Sequence, residues 1–127
     1  MTNIRAMIID PNLEHIDTLS SELLKKGITS MGFVTGSEAL ASYEQFQPNL
    51  LICEYQMIDG MKGWEIAAEI LKDDPKNRPY MIALHTIPSQ RNKAVALEFG
   101  FNDFFCKPIG LSDLFRWVAK AKTFSLI

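Results

Sequence analysis

The chain has 127 residues, of which 47% are hydrophobic and 22% are charged, and its formal net charge is -2. This size predicts one compact globular domain over residues 1–127 that buries roughly two-thirds of the surface of its unfolded chain. The basic residues are scattered along a slightly acidic chain, which argues against a nucleic-acid partner. No long hydrophobic segment suggests membrane spanning or secretion, so we expect a cytoplasmic protein.

Five short apolar runs alternate with longer amphipathic segments, a pattern typical of repeated strand and helix units. The predicted strands are residues 4–9, 28–34, 50–53, 80–84 and 103–106. Because strands that alternate with helices form parallel sheets, the predicted fold class is α/β, with helices on both faces of the sheet.

Capping residues mark the ends of the predicted helices. Asp10 with Pro11 is predicted to cap and start the first helix. Ser37 and Ser112 are the predicted caps of the second and fifth helices. Gly100 is expected to stop the fourth helix, because glycine adopts the left-handed conformation that often ends helices.

Four polar residues fall at the carboxyl ends of predicted strands. Asp10 and Glu54 follow the first and third strands, and His85 and Lys107 follow the fourth and fifth. In open parallel sheets, ligands bind beyond the carboxyl ends of the strands, near the point where strand order reverses. These four side chains are therefore the candidates for a functional site.

These positions, with the residues around them, resemble the receiver domain of response regulators in two-component signalling. Residues 48–65 are similar to the third receiver strand and its phosphoacceptor loop, and residues 96–108 to the fifth strand and its lysine–proline pair. The likeness runs through nearly the whole chain. It implies a flavodoxin-like, doubly wound (βα)5 domain whose five-stranded parallel sheet has the order 2-1-3-4-5.

The resemblance also implies a role for each candidate residue, because receivers move a phosphoryl group from a kinase histidine to an aspartate. Glu54 takes the phosphoacceptor position and Lys107 the phosphate clamp. His85 takes the position of the switch threonine, and Phe104 that of the switch aromatic residue. A vestigial site for Mg²⁺ is implied at Asp10, Glu54 and Gln56, where we expect binding to be weak.

Several departures from the receiver pattern predict impaired or absent phosphorylation. Pro11 replaces the second acidic residue, usually a direct metal ligand, and its side chain cannot bind magnesium. The extra methylene of Glu54 shifts its carboxylate by roughly 1.5 Å, which upsets the in-line geometry of phosphoryl transfer. His85 replaces the switch threonine, although a shift of one residue in register restores Thr86. The loop after Glu54 is one residue longer than in the family.

Each candidate residue also has a second interpretation. Asp10 is explained equally well as a helix cap or as a remnant of the site. For Glu54 we favour an ion pair with Lys107 in place of the phosphate contact; its charge also resembles that of an aspartyl phosphate, which allows a permanently biased state. His85 is interpreted as a hydrogen-bonded loop histidine rather than a metal ligand, and Phe104 as a packing residue first.

The predicted function is a stand-alone receiver-like domain of a two-component phosphorelay that is not an enzyme. It is expected to bind a sensor kinase or an output protein through the face of helix 4, strand 5 and helix 5. One alternative is a relay protein that is still phosphorylated at Glu54 or His85. A second alternative is a flavodoxin-type binder of small molecules, although no glycine-rich phosphate loop follows the first strand.

Overall fold

Strands and helices alternate along the chain, as the apolar runs predict. The computed structural model describes residues 3–57, 60–73 and 76–125. Within these ranges, no helix is long and apolar enough to cross a lipid bilayer. The elements are β1 (Arg5–Ile9), α1 (Leu13–Lys25), β2 (Thr29–Phe33), α2 (Gly36–Phe46), β3 (Leu50–Glu54), α3 (Gly63–Asp73), β4 (Tyr80–His85), α4 (Gln90–Glu98), β5 (Asp103–Cys106) and α5 (Leu111–Ser125).

The five strands form one parallel sheet in the order β2-β1-β3-β4-β5, which confirms the predicted flavodoxin-like fold class. The chain passes from β1 to β2 on one side and then returns to place β3 on the other side. In the register of the sheet, Ile9 lies opposite Cys53. The ends of β1 and β3 therefore flank the point where strand order reverses, which is where open sheets of this kind bind ligands.

Helices cover both faces of the sheet, so the domain has two apolar cores. The first core lies under α1 and α5, which contribute Ile16, Leu19, Leu23, Leu114, Trp117 and Val118. The second core lies under α2, α3 and α4, which contribute Ala39, Ile66, Ala67, Ile70 and Ala96. All five residues of β3 are buried because this central strand is covered from both sides.

The start of α1 differs from the prediction. Its N-cap is Asn12, whose side chain accepts a hydrogen bond from the backbone N–H of Glu14 at 2.9 Å. Asp10 lies before the helix, and its Oδ1 accepts a hydrogen bond from the backbone N–H of Asn12 at 2.9 Å. The prediction that Asp10 and Pro11 cap and start the helix was therefore wrong, since Asn12 takes the cap and leaves the second oxygen of Asp10 available to the site.

Two further caps were also misplaced. Thr35, not Ser37, is the N-cap of α2, because the Thr35 side chain accepts a hydrogen bond from the backbone N–H of Glu38. Helix α5 begins at Leu111, so Ser112 lies within its first turn. The predicted end of α4 is confirmed by Gly100, which follows the C-cap with a φ of 114°.

Candidate functional site

The four candidate side chains lie at one edge of the sheet. Asp10 directly follows β1, Glu54 ends β3, His85 ends β4 and Lys107 directly follows β5. The backbone N–H of Lys107 donates a hydrogen bond to the carbonyl of His85 at 2.7 Å, which ties the ends of β4 and β5 together. All four residues thus lie at or next to strand ends, and their relative positions follow from strand register.

The ammonium group of Lys107 lies between two buried carboxylates. Its Nζ donates a hydrogen bond to Asp10 Oδ2 at 2.7 Å and lies 3.5 Å from Glu54 Oε2. The exposed fractions of the side chains are 3% for Asp10, 9% for Glu54 and 14% for Lys107. The structure therefore brings together Asp10, Glu54 and Lys107, three of the four residues that the sequence placed at strand ends. Asp10 is the closer partner of the lysine.

His15 is a member of this cluster that the sequence analysis missed. Its Nδ1 lies 3.1 Å from Lys107 Nζ and 3.4 Å from Asp10 Oδ2, and its side chain is 48% exposed. Because α1 begins just beyond the carboxyl end of β1, residues of its first turns adjoin Asp10. The position of a histidine in the first turn of the predicted helix was the signal that could have identified it.

Two buried polar atoms of the site, Glu54 Oε2 and His85 Nδ1, have no hydrogen-bond partner among the residues that the structure describes. His85 Nδ1 lies 3.9 Å from Glu54 Oε1. The contact of 3.5 Å between Lys107 and Glu54 is thus an ion pair without hydrogen-bond geometry. Unpaired buried polar groups are costly, and they concentrate at functional sites.

Burial also shifts the pKa values of both groups. Burial raises the pKa of the Glu54 carboxyl group; the Lys107 charge opposes this effect, and the negative charge of Asp10 adds to it. Burial lowers the pKa of the His85 imidazole, and the positive charge of Lys107 lowers it further. Each environment therefore disfavours the charged form of the residue.

His85, rather than Thr86, occupies the position beside Glu54. His85 is the last residue of β4, pairs with Cys106 in the sheet and is buried. Thr86 is exposed, and it lines a cleft of about 340 Å³ that also borders His15, Leu19, Lys107 and Ile109. In this structure His85 therefore lies at the end of β4 beside Glu54, and Thr86 lies one residue beyond the strand.

Phe104 packs into an aromatic cluster next to the charged residues. Its ring meets the ring of Tyr55 edge-on at a centroid distance of 5.5 Å and lies 6.5 Å from the His85 ring. Tyr55 in turn contacts Trp64 at the start of α3 at 5.2 Å. Phe104 is only 8% exposed, so in this structure it is a packing residue that links β5 to the residue following Glu54.

The loop between β3 and α3 depends on Gly63. A Cβ atom at Gly63 would lie 2.8 Å from the carbonyl oxygens of both Glu54 and Tyr55, so only glycine allows this approach. The Lys62 ammonium donates a hydrogen bond to the carbonyl of Met57 at 2.6 Å. Gln56 in this loop is exposed. Residues 58 and 59, within the stretch predicted to be one residue longer, lie outside the described residues.

The side chains at this edge do not fit a magnesium ion. Asp10 Oδ1 accepts a backbone hydrogen bond and Asp10 Oδ2 binds Lys107, while the side chain of Pro11 has no atom that can bind a metal. In the part of the chain that the structure describes, no group of three or more histidine, cysteine, aspartate or glutamate side chains could hold a metal. A divalent cation would have to displace the lysine ammonium that already lies between Asp10 and Glu54.

The fold agrees with comparisons to known proteins. The family profile of the response regulator receiver domain matches residues 6–119. The chain belongs to this family. The receiver domain is 28% identical over 124 residues to the response regulator PleD of Caulobacter vibrioides, covering 97% of this chain but only 27% of PleD.

Solved receiver structures are also similar. A CheY-like receiver domain protein from Methanospirillum hungatei JF-1 has a TM-score of 0.87 at 22% identity, covering 98% of this chain and 97% of the other. The receiver domain of Ssk1 from Saccharomyces cerevisiae, solved with the phosphotransfer protein Ypd1, has a TM-score of 0.86 at 26% identity, with coverage of 98% and 93%. The receiver fold is therefore preserved across the chain.

Proposed function

We propose that this receiver domain acts in two-component signalling by binding a protein partner, with phosphorylation at its acceptor position impaired or absent. The observation that carries the proposal is the position of the Lys107 ammonium between Asp10 and Glu54. In this arrangement the chain supplies its own cation to the two carboxylates. The proposal assigns no enzymatic activity to the domain.

Glu54 is the proposed replacement for the phosphorylated aspartate. A carboxylate in contact with Lys107 supplies part of the negative charge that a phosphoryl group would bring to the lysine. Lys107 then acts as an ion-pair partner rather than as a phosphate clamp. His85 supplies an imidazole where a receiver has a hydroxyl group, and Phe104 is held inward against Tyr55. The proposed site is thus fixed in one arrangement.

The face of α4, β5 and α5 is the proposed surface for the partner. Strand β5 is an edge strand, and Cys106 on it is exposed. Helix α4 buries only Ala96 among its residues. Large apolar side chains around this face have exposed fractions of 64% for Ile87, 42% for Leu97, 41% for Phe99 and 52% for Leu111. Exposed apolar groups of this kind favour contact with another protein.

A protein partner is also consistent with the structural relatives. The Ssk1 receiver domain, which shares this fold, was solved in complex with the phosphotransfer protein Ypd1. From that complex we transfer to this chain only the class of partner, a signalling protein. The proposed interface rests instead on the exposed residues of the α4, β5 and α5 face described above. The flavodoxin-type alternative is not carried forward because the chain belongs to the receiver family.

The test of the proposal is incubation with acetyl phosphate and Mg²⁺, followed by intact-mass measurement. The unmodified protein is expected to give no phosphoryl adduct. The matched control is the double variant Pro11→Asp, Glu54→Asp, which restores an acidic pair and an aspartate and is expected to gain an acid-stable mass increase that hydroxylamine removes. A stoichiometric adduct on the unmodified protein would overturn the proposal.

The remaining alternative, phosphorylation at Glu54 or His85, is resolved by the same measurement. Its specific support is that one side-chain atom of each residue, Glu54 Oε2 and His85 Nδ1, has no hydrogen-bond partner within the described part of the chain. If an adduct forms, the variants Glu54→Gln and His85→Asn identify the acceptor, because only the variant that lacks the acceptor loses the adduct. Acyl phosphates and phosphohistidines also differ in their reaction with hydroxylamine.

A further inference from the structure

Helices α2 and α3 enclose a groove with an acidic rim. The groove has a volume of about 420 Å³ and an apolar floor formed by Leu40, Tyr43 and Ile70. Its rim carries Glu44, Glu69 and Asp73, which are exposed. Among residues 3–57, 60–73 and 76–125, none of these three carboxylates takes part in an ion pair. We call this surface the acidic groove.

Helix α5 carries a surface of the opposite charge. Arg116 and Lys120 lie one turn apart beside a shallow cleft of about 370 Å³ whose floor includes Tyr80 and Phe124. The two aromatic rings meet edge-on at a centroid distance of 5.7 Å. Arg116 has an exposed and weak contact of 3.7 Å with Asp113, whereas Lys120 has no ion pair within the described residues. We call this surface the basic face.

The two surfaces cannot meet within one molecule. Helix α5 packs on the first core, whereas α2 and α3 pack on the second core, on the opposite face of the sheet. Both surfaces lie toward the amino-terminal edge of the sheet, since Tyr80 starts β4 and Asp73 ends α3. They are therefore remote from Lys107 and its partners at the carboxyl edge, and independent of the phosphorylation state proposed above.

We propose that the acidic groove receives the basic face of a second copy of this chain. Each surface offers an apolar floor and a charged rim of one sign, so the two are complementary in both charge and polarity. Neither surface can pair with itself, because like charges would face each other. The contact is therefore heterologous: each copy keeps one groove and one face free, and further copies can add in the same direction.

The expected association is weak and sensitive to salt. Exposed ion pairs contribute little individually and are screened as ionic strength rises. Sedimentation velocity of the unmodified protein is expected to give a weight-average mass that increases with protein concentration. The same measurement in high salt is expected to return the protein to the monomer.

Charge reversal of either surface provides the decisive variants. The variant Glu69→Lys, Asp73→Lys makes the groove basic, and the variant Arg116→Glu, Lys120→Glu makes the helix face acidic. Each variant alone is expected to remain monomeric, since both of its surfaces then carry the same sign. Mixed together, the two variants are expected to co-assemble, because the basic groove of one meets the acidic face of the other.

The matched control is Lys93→Glu with Glu98→Lys on α4, which changes exposed charges elsewhere and is expected to leave the association unchanged. All of the substituted side chains are exposed, and circular dichroism checks that each variant is folded. A monomer at every concentration would overturn the proposal. So would self-association that persists in either reversed variant, or a mixture of the two that fails to co-assemble.

Discussion

At the amino edge of the sheet, arginine side chains bind neutral oxygens, whereas at the carboxyl edge one lysine is shared between two carboxylates. Arg78 donates hydrogen bonds to the carbonyl of Gly100 and to Asn102 Oδ1, and Arg5 donates to the carbonyls of Phe46 and Gln47. These contacts tie the start of β1 to the end of α2, and the segment before β4 to the segment between α4 and β5. The amino edge is therefore organised for stability.

The carboxyl edge is organised differently. Lys107 faces Asp10 and Glu54, and both Glu54 Oε2 and His85 Nδ1 are buried without hydrogen bonds to residues 3–57, 60–73 or 76–125. Local arrangements that cost stability are expected at functional sites rather than in scaffolding. The contrast indicates that the arginine hydrogen bonds at the amino edge stabilise the receiver fold. The buried charged and unpaired groups at the carboxyl edge instead cost stability, as expected of a functional site.

Replacing Lys107 by Met is expected to have the largest effect on stability. The substitution leaves Asp10 and Glu54 as two buried carboxylates without a cation, which costs about 3 kcal/mol. Chemical denaturation measures the loss, and Lys93→Met, an exposed lysine on α4, is the control. Adding Glu54→Gln to the Lys107 variant should recover part of the stability. A loss no larger than that of the control would contradict the shared-cation arrangement.

Replacing Arg78 by Met tests the other edge and is expected to cost about 2 kcal/mol, because it removes charge-assisted hydrogen bonds to Gly100 and Asn102. Unlike the Lys107 variant, it leaves no buried charge behind. Adding Glu54→Gln to the Arg78 variant should therefore change the stability by the same amount as it does in the unmodified protein. A larger gain in the Arg78 variant would show that the two edges are energetically coupled.

The replacement Glu54→Gln is expected to raise the melting temperature at neutral pH. A raised pKa means that the stability contributed by Glu54 is complete below its ordinary pKa of 4.5 and is lost as pH rises. The neutral glutamine avoids this loss, so the difference from the unmodified protein should disappear in acid. Glu98→Gln is the exposed control. A lower melting temperature at neutral pH would mean that attraction to Lys107 outweighs burial.

The smallest effect is expected for His85→Asn, and only in mild acid. The lowered pKa means that His85 contributes stability above its ordinary pKa of 6.5, and this contribution is lost as pH falls. Glu54 acts in the opposite direction, so the comparison is made in the Glu54→Gln background. There the His85 variant should lose less stability on acidification than its parent. Parallel pH profiles would refute the assignment.

The sequence was sufficient for the alternation of strands and helices because their periodicity depends only on local patterns, whereas the strand order was implied by the resemblance to receivers. The predictions of helix caps were less accurate. Asn12 caps α1 in place of Asp10, Thr35 caps α2 in place of Ser37, and α5 begins at Leu111, before Ser112. Several polar residues near a helix start compete for the same backbone N–H groups. Which of these residues becomes the N-cap depends on the backbone conformation between the preceding strand and the helix.

The site was predicted in outline but not in detail. Asp10, Glu54, His85 and Lys107 meet because strand ends of a parallel sheet share an edge. The closer approach of Lys107 to Asp10 than to Glu54 depends on a difference of about an ångström in side-chain packing. No sequence pattern encodes such differences, because they depend on the exact packing of the side chains around the ends of β1, β3 and β5.

Titration with Mg²⁺ tests the central claim, that Lys107 already supplies the cation of this site, most directly. Backbone amide chemical shifts of Asp10 and Glu54 report on binding, and the variant Pro11→Asp, Glu54→Asp is the control that should bind. For the unmodified protein we predict no saturable shift at millimolar magnesium. A saturable shift at Asp10 and Glu54 in that range would contradict the account.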